Sequence, residues 1–335
     1  MPSPRRGSNR IVIVGASSLL GAELRSLLEE SRFAAADFRL VDEEIAVGTL
    51  TEAGGEPAVI QAVEEGSFER AQIVFFAGSP GFTRANLAAA EKAGAKVIDL
   101  SGETASRPGT VAWFPKIDWL RGKEFAENAA VHLVPSAAAT AASSLTLALS
   151  KAGLTRLAIV CFQPVSEAGR AGIEELESQT GQLLSFQGVG QPVFDAQVAF
   201  NLLDRFGPGS RQKLSAVRER VRAETQACLG GKAKMPALQV VHAPVFYGTA
   251  IAAYAELGKA ANVDGIVNAC TDAGFVFPGE GEAGPSNVSV AGEKVIQLAR
   301  PEQDAERAGT WWFWGAADNI RLPAANAAKL AEMLA

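Results

Sequence analysis

The chain has 335 residues, 48% hydrophobic and 20% charged, a length that suggests about two domains at roughly 150 residues each. Lys and Arg number 31 against 37 Asp and Glu, for a net charge of −6. This argues against a general affinity for nucleic acid or an anionic membrane, and small molecules or proteins are the expected partners. The 33 glycines and 16 prolines show no three-residue period and no polar tract, which excludes collagen-like and low-complexity classes.

Residues 1–9 read as a short disordered tail, because their positive charge is not followed by an apolar signal-peptide core. The first element is a strand over the run Arg10–Gly15, which ends in its glycine. A helix over Ala16–Glu30 follows, with Leu19, Leu20, Leu24, Leu27 and Leu28 at helical spacing. Strands at Phe38–Asp42, Ala71–Ala77 and Lys96–Leu100, with a helix at Arg84–Ala93 between the last two, give the alternation of a parallel sheet with crossover helices. The first turn reads Gly15-x-x-Ser18-x-x-Gly21, so Ser18 replaces the usual second glycine. Backbone amides at such a turn and helix start are placed to hold a pyrophosphate, and Ser17, Ser18, Leu19, Leu20 and Gly78 join the candidate set. The second strand ends in Asp42-Glu43-Glu44, of which Asp42 and Glu44 are the candidates. An acid there accepts from a ribose 2′-hydroxyl and repels a 2′-phosphate, favouring NAD over NADP. The alternatives are glycines that only let strand and helix pack, an acidic turn that is only solvated, and a chain that binds no cofactor.

Further along, Ser136–Leu149 is a run of small residues suited to a packed helix rather than a membrane span. Strands are expected at Leu157–Phe162, Leu238–Phe246 and Thr249–Leu257, and helices at Ala171–Leu184, Lys213–Leu229 and Val263–Ala273. The helix over Lys213–Leu229 carries Arg and Glu that read mostly as a solvated face. Ser289–Gly292 and Thr310–Gly315 read as two more strands, the aromatic run in the latter as core, and Pro323–Ala335 as a closing helix. Three scattered cysteines, Cys161, Cys228 and Cys270, signal neither a disulfide framework nor a metal site, and point to a reducing cytoplasm.

The segments Ile11–Gly21, Val97–Ser101, Phe162–Leu176, Ala199–Leu203, Ala243–Gly248 and Asp318–Arg321, in this order, resemble aspartate-semialdehyde dehydrogenases and their divergent Usg-type relatives. The resemblance runs from about Arg10 to Ala335. It implies an α/β chain with an N-terminal Rossmann-like parallel-sheet domain (10–134), an α+β dimerisation and catalytic-type domain with a mixed sheet (135–317), and a last helix (318–335) returning to the first domain. It also implies a homodimer, with one face of the mixed sheet on helices and the other on the partner.

The chemistry implied by the family is NADP-dependent reductive dephosphorylation of aspartyl phosphate in amino-acid biosynthesis. A cysteine forms the thioester, a histidine is acid and base, and arginines hold the two anions. Here the nucleophile position falls on Ser136 or Ala137, and no cysteine stands there. The histidine position is Thr249, after Gly248. The arginine that opens that motif is His242, and the other histidine is His132. Arg107 and Arg220 are the remaining candidates for substrate. Gln163 occupies the place that orients an acyl group, and Ser166 and Asn319 are places near the cofactor. The expectation is a homologue that has lost nucleophile and acid/base, does not catalyse the family reaction, and can retain a dinucleotide. The rival readings are an NAD(P)-linked oxidoreductase acting on another substrate through Ser136, Thr249 or His242, and a structural or interaction dimer with an empty cleft.

Overall fold

The computed structural model describes residues 10–43, 48–53, 56–258, 260–279 and 281–335; the tail 1–9 and Glu44 lie outside them. The chain divides into two compact units, one of residues 1–113, 126–134 and 324–335 and the other of residues 114–125 and 135–323.

The first unit is a parallel sheet. Strands β1 (Arg10–Val14), β2 (Asp37–Asp42), β3 (Leu50–Ala53), β4 (Glu56–Val59), β5 (Gln61–Ala62), β6 (Ala71–Phe76), β7 (Lys96–Asp99), β8 (Val111–Ala112) and β9 (Val131–Leu133) are interleaved with helices α1 (Leu19–Glu29) and α2 (Pro80–Lys92). Seven of these strands pair in the order β5-β2-β1-β6-β7-β9-β8, while β3 and β4 form a separate antiparallel hairpin. Ile11–Val14 are wholly buried, as an uninterrupted apolar run in a parallel sheet covered on both faces should be. Val12, Val14, Val41, Val74, Phe76 and Val97 form one cluster on one side of that sheet. Helix α2 starts a turn earlier than the expected Arg84, because Ser79 accepts from the Phe82 amide and Pro80 takes the first helical position.

Between β8 and β9 the chain leaves this unit. Helix α3 (Ile117–Arg121) packs on α4 (Ala137–Ser150) of the second unit. The Arg121 guanidinium also donates to the Ala227 and Cys228 carbonyls, at the C-terminal end of α6 (Leu214–Leu229). Residues 114–125 are therefore grouped with the second unit rather than within the expected 10–134, and residues 318–323 also stay with it.

The rest of the second unit comprises β10 (Arg156–Gln163), a 3₁₀ turn (Val165–Ala168), α5 (Gly169–Leu184), β11 (Ala237–His242), β12 (Thr249–Glu256), α7 (Val263–Asp272), β13 (Phe275–Val276), β14 (Ile296–Leu298), β15 (Glu302–Gln303), β16 (Thr310–Ala317) and the start of α8 (Arg321–Leu334). The sheet order is β11-β10-β12-β16-β14-β13 with β15 on β16. It is mixed: β10–β11 and β13–β14 are parallel, and β10–β12, β12–β16 and β14–β16 are antiparallel. Helix α4 covers one face, and every residue from Ala137 to Leu149 is buried. The aromatic run is only half core. Trp311 and Phe313 are buried while Trp312 and Trp314 stay 49% and 42% exposed, because successive strand residues face opposite sides. The strand expected at Ser289–Gly292 is a turn instead, held by reciprocal Ser286–Ser289 hydrogen bonds, and the strand falls at Ile296–Leu298.

Candidate functional site

In the first unit the elements that would hold a nucleotide meet at the carboxyl ends of β1, β2 and β6. Gly15 turns at φ +83°, and a side chain there would lie 2.3 Å from the Gly78 amide nitrogen; one on Gly21 would lie 2.2 Å from the Gly15 carbonyl oxygen. These glycines are thus required by the packing of turn, strand and helix on one another. Ser18 caps α1: its hydroxyl accepts from the Gly21 amide at 2.8 Å and donates to the Ala77 carbonyl at 2.8 Å. The Asp42 carboxylate is buried, with one oxygen accepting from the Ser17 amide at 2.7 Å and the other from the Glu43 amide at 2.8 Å. Its place in the sequence suggested a sugar contact, but its visible work is to tie β2 to the first turn.

The amides of Leu19 and Leu20 open α1 and make no hydrogen bond among the described residues. Together with the sharp turn they fit a pyrophosphate, since two free amides at a helix N-terminus suit an anion. Glu43, the middle acid of the run Asp42-Glu43-Glu44 and not among the candidates chosen from it, is exposed, and its carboxylate accepts from the Ser79 hydroxyl at 2.6 Å.

The loop after β7 is organised by Asp99, wholly buried, whose carboxylate accepts from the amide and hydroxyl of both Ser101 and Thr104. Burial nevertheless pushes its pKa up. Arg107, the candidate phosphate ligand on this loop, makes a bidentate pair with Glu91 at 2.9 Å on both arms. Its charge is already compensated.

In the second unit a connected polar path runs from the start of α4 to the start of α8. Ser136 caps α4, and its hydroxyl donates to the Glu224 carboxylate at 2.5 Å while its amide donates to the same oxygen at 3.0 Å. Glu224 is wholly buried on α6. Arg220, one turn earlier, lies 3.9 Å from Glu224 and donates to Glu167 at 2.8 Å, so this guanidinium sits between two carboxylates. The other Glu167 oxygen accepts from the Asn319 amide group at 3.2 Å; Asn319 also donates to the Ser166 hydroxyl at 3.1 Å and accepts from the Gly248 amide at 2.9 Å. Ser166 and Asn319 are buried and bound to one another. The placement of Glu224 departs from the solvated face expected for this helix. It lies on the stripe Val217, Val221, Glu224, Thr225, Cys228, all buried, a spacing that the sequence already displayed.

The other positions singled out in the second unit are buried. Gln163 pairs with His242 across β10–β11. The Gln163 Oε1 and Thr249 Oγ1 atoms are buried and have no hydrogen-bond partner among the described residues. His242 is buried between Phe194 and Phe206, its Nε2 within 3.1 Å of the Val198 carbonyl. That carbonyl can only accept, so Nε2 carries the proton, and burial holds the imidazole below its usual pKa. His132 is likewise buried and depressed. Cys161, Cys228 and Cys270 are all free and wholly buried, and loss of water pushes each thiol up to about 12. Among the described residues no group of three His, Cys, Asp or Glu side chains gathers as a metal site requires. No helix among them is long and apolar enough to cross a membrane.

Comparison with known proteins agrees with this architecture. Residues 10–141 match the semialdehyde dehydrogenase NAD binding domain, and residues 146–322 match the semialdehyde dehydrogenase dimerisation domain. A USG-1 protein homolog of Pseudomonas aeruginosa is 28% identical over 329 residues, and aspartate-semialdehyde dehydrogenase 2 of Vibrio cholerae is 25% identical over 326, each alignment covering 97% of both chains. The solved structure of a probable aspartate-semialdehyde dehydrogenase from Pseudomonas aeruginosa superposes with a TM-score of 0.84 at 27% identity, covering 97% of this chain and 98% of that one.

Proposed function

This chain belongs to the semialdehyde dehydrogenase family, and within it we propose a member that does not carry out the thiol-dependent reaction and keeps a dinucleotide-holding first unit in a homodimer. The observation that carries the proposal is the state of the thiols. Acyl transfer needs a thiolate that a substrate can reach, and all three cysteines are wholly buried with pKa values near 12. The nucleophile position offers only Ser136, engaged with Glu224, and Ala137. Thr249 cannot titrate near neutrality where a histidine would stand, and His242 is held neutral among aromatic rings. Arg107 and Arg220 are each already committed to carboxylates.

Dinucleotide holding is supported by the free amides of Leu19 and Leu20 and by the turn at Gly15, with NAD preferred over NADP because acids close β2. Pairing of two copies is supported by the dimerisation-domain match and by the half-exposed aromatic face of Tyr254, Trp312 and Trp314. Three free thiols suit the reducing cytoplasm.

The direct test incubates the protein with aspartate semialdehyde, phosphate and NAD or NADP and follows reduced nicotinamide, while calorimetry follows dinucleotide binding. No turnover together with binding is expected. A second reading, an oxidoreductase on another substrate, draws on the 2.5 Å bond from the Ser136 hydroxyl to a buried carboxylate. Turnover of any semialdehyde that is abolished by Ser136→Ala would favour it.

A further inference from the structure

We propose that Glu43, rather than Asp42, selects the dinucleotide, by holding a carboxylate where the 2′-phosphate of NADP would have to sit. This rests on the dinucleotide reading above. Three observations in the first unit carry it.

The first is that Asp42 is occupied. Both of its oxygens accept from backbone amides, those of Ser17 and Glu43, and it is buried. It fixes the turn and is a positioning residue. The second is that Glu43, the next residue, is exposed and held. Its carboxylate accepts from the Ser79 hydroxyl at 2.6 Å. Ser79 in turn accepts from the Phe82 amide as the cap of α2, and the positive end of that helix favours the anion there. The carboxylate is thereby fixed beyond the end of β2, beside the start of α2. In a doubly wound sheet this is where the ribose of a nucleotide seated on the first turn is read. Ser79 uses one Glu43 oxygen, and the other has no hydrogen bond among the described residues, so it can accept from ribose hydroxyls.

The third observation is that the segments bordering this position carry no cation. The first turns of α1 and α2, Leu19–Ala22 and Pro80–Thr83, contain no Lys or Arg, and neither does the sequence from Glu43 to Leu50. Arg84, the first cation on α2, is bound through two arms to Glu103 at 2.6 and 2.7 Å. A 2′-phosphate would therefore meet a fixed negative charge with no compensating cation, whereas a 2′-hydroxyl would meet an acceptor.

The experiment measures calorimetric affinity of the full-length protein for ADP-ribose and for 2′-phospho-ADP-ribose, fragments that avoid any dependence on nicotinamide or on turnover. The wild type should prefer ADP-ribose by at least about tenfold. In Glu43→Gln that ratio should fall by at least about tenfold, mainly through tighter binding of the phosphorylated fragment. Asp42→Asn should weaken both fragments and leave the ratio within about twofold. A wild-type ratio near one, or a ratio unmoved by Glu43→Gln while ADP-ribose still binds, would overturn the role of Glu43 alone. Failure of the wild type to bind either fragment would overturn the dinucleotide reading itself, and the assignment with it.

Discussion

Asn319 is where the polar path of the second unit can be broken most informatively. Its side chain supplies the acceptor for the Gly248 amide and donates to Ser166 and Glu167, and it is 5% exposed. Truncation in Asn319→Ala leaves the Gly248 N–H without its acceptor, at about 1–3 kcal/mol for a buried donor. It also removes one of the donors to Glu167 and opens a small void, a further cost of about 1 kcal/mol. The expected loss is about 2–4 kcal/mol, read as a lower urea midpoint at unchanged slope. Asn319→Asp is the sharper version. It keeps an acceptor for Gly248 but sets a second carboxylate 3.2 Å from the Glu167 oxygen that now receives a hydrogen bond. Repulsion raises the folded pKa of that pair, so the variant should be weaker at pH 7.5 than at pH 5, losing stability as pH rises through the raised value. An Asn319→Ala protein within about 0.5 kcal/mol of wild type would refute the structural role, since that is the range of inconsequential surface changes.

Three further outcomes follow from the same geometry. Thr249 carries a buried hydroxyl without a partner among the described residues, so the near-isosteric Thr249→Val should leave stability unchanged or raise it by up to about 1 kcal/mol; a loss beyond 1 kcal/mol in urea titration would mean the hydroxyl is used. With the thiols buried at pKa values near 12, an aromatic disulfide reagent should label native protein at least about 100-fold more slowly than denatured protein, which should release three equivalents; fast labelling of even one native thiol counts against the proposed loss of chemistry. Both histidines of the chain are held below the ordinary imidazole pKa by burial. Unfolded imidazoles titrate near 6.5, so the unfolded chain takes up protons that the folded chain does not. Stability from these sites is complete above about pH 6.5 and lost as pH falls through it. Urea midpoints at pH 7.5 and 5.5 should differ, and the paired substitution His132→Gln and His242→Gln should narrow the gap. Asp99 and Glu175, raised by burial, act in the opposite sense and are untouched by that change; an unaltered gap would assign the dependence elsewhere.

Much of the first unit was legible because its signals are local. A wholly apolar β1, a glycine turn and leucines at helical spacing describe strand, turn and helix without reference to distant residues. The hairpin of β3 and β4 and the short β5 and β8 escaped because two to four residues carry no period. The turn over Ser286–Ser289 was misread for a related reason: Ser-Val-Ala-Gly alternates like a strand, and only the Ser286 partner makes it close on itself. At the candidate site, that Ser136, Ala137 and Thr249 stand at the positions singled out was legible from the sequence. What each surviving polar residue does was not. Ser166, Arg220 and Asn319 looked like ligands because their partners, Asn319 for Ser166 and Glu167 for the other two, lie 53 to 153 residues away. Asp42 faces the turn and Glu43 faces solvent, which pleat and capping decide together and which their order in the sequence does not display.

Helix α4 has no side facing water from Ala137 to Leu149, and most of its residues are alanine, serine or threonine. Such a helix cannot shift or rotate to suit a new occupant at its first residue, since its neighbours fill the space on every side. The backbone that presents Ser136 is therefore held by close packing, and the Ser136 hydroxyl is anchored on Glu224. A side chain substituted at Ser136 or Ala137 would meet a backbone already fixed in place.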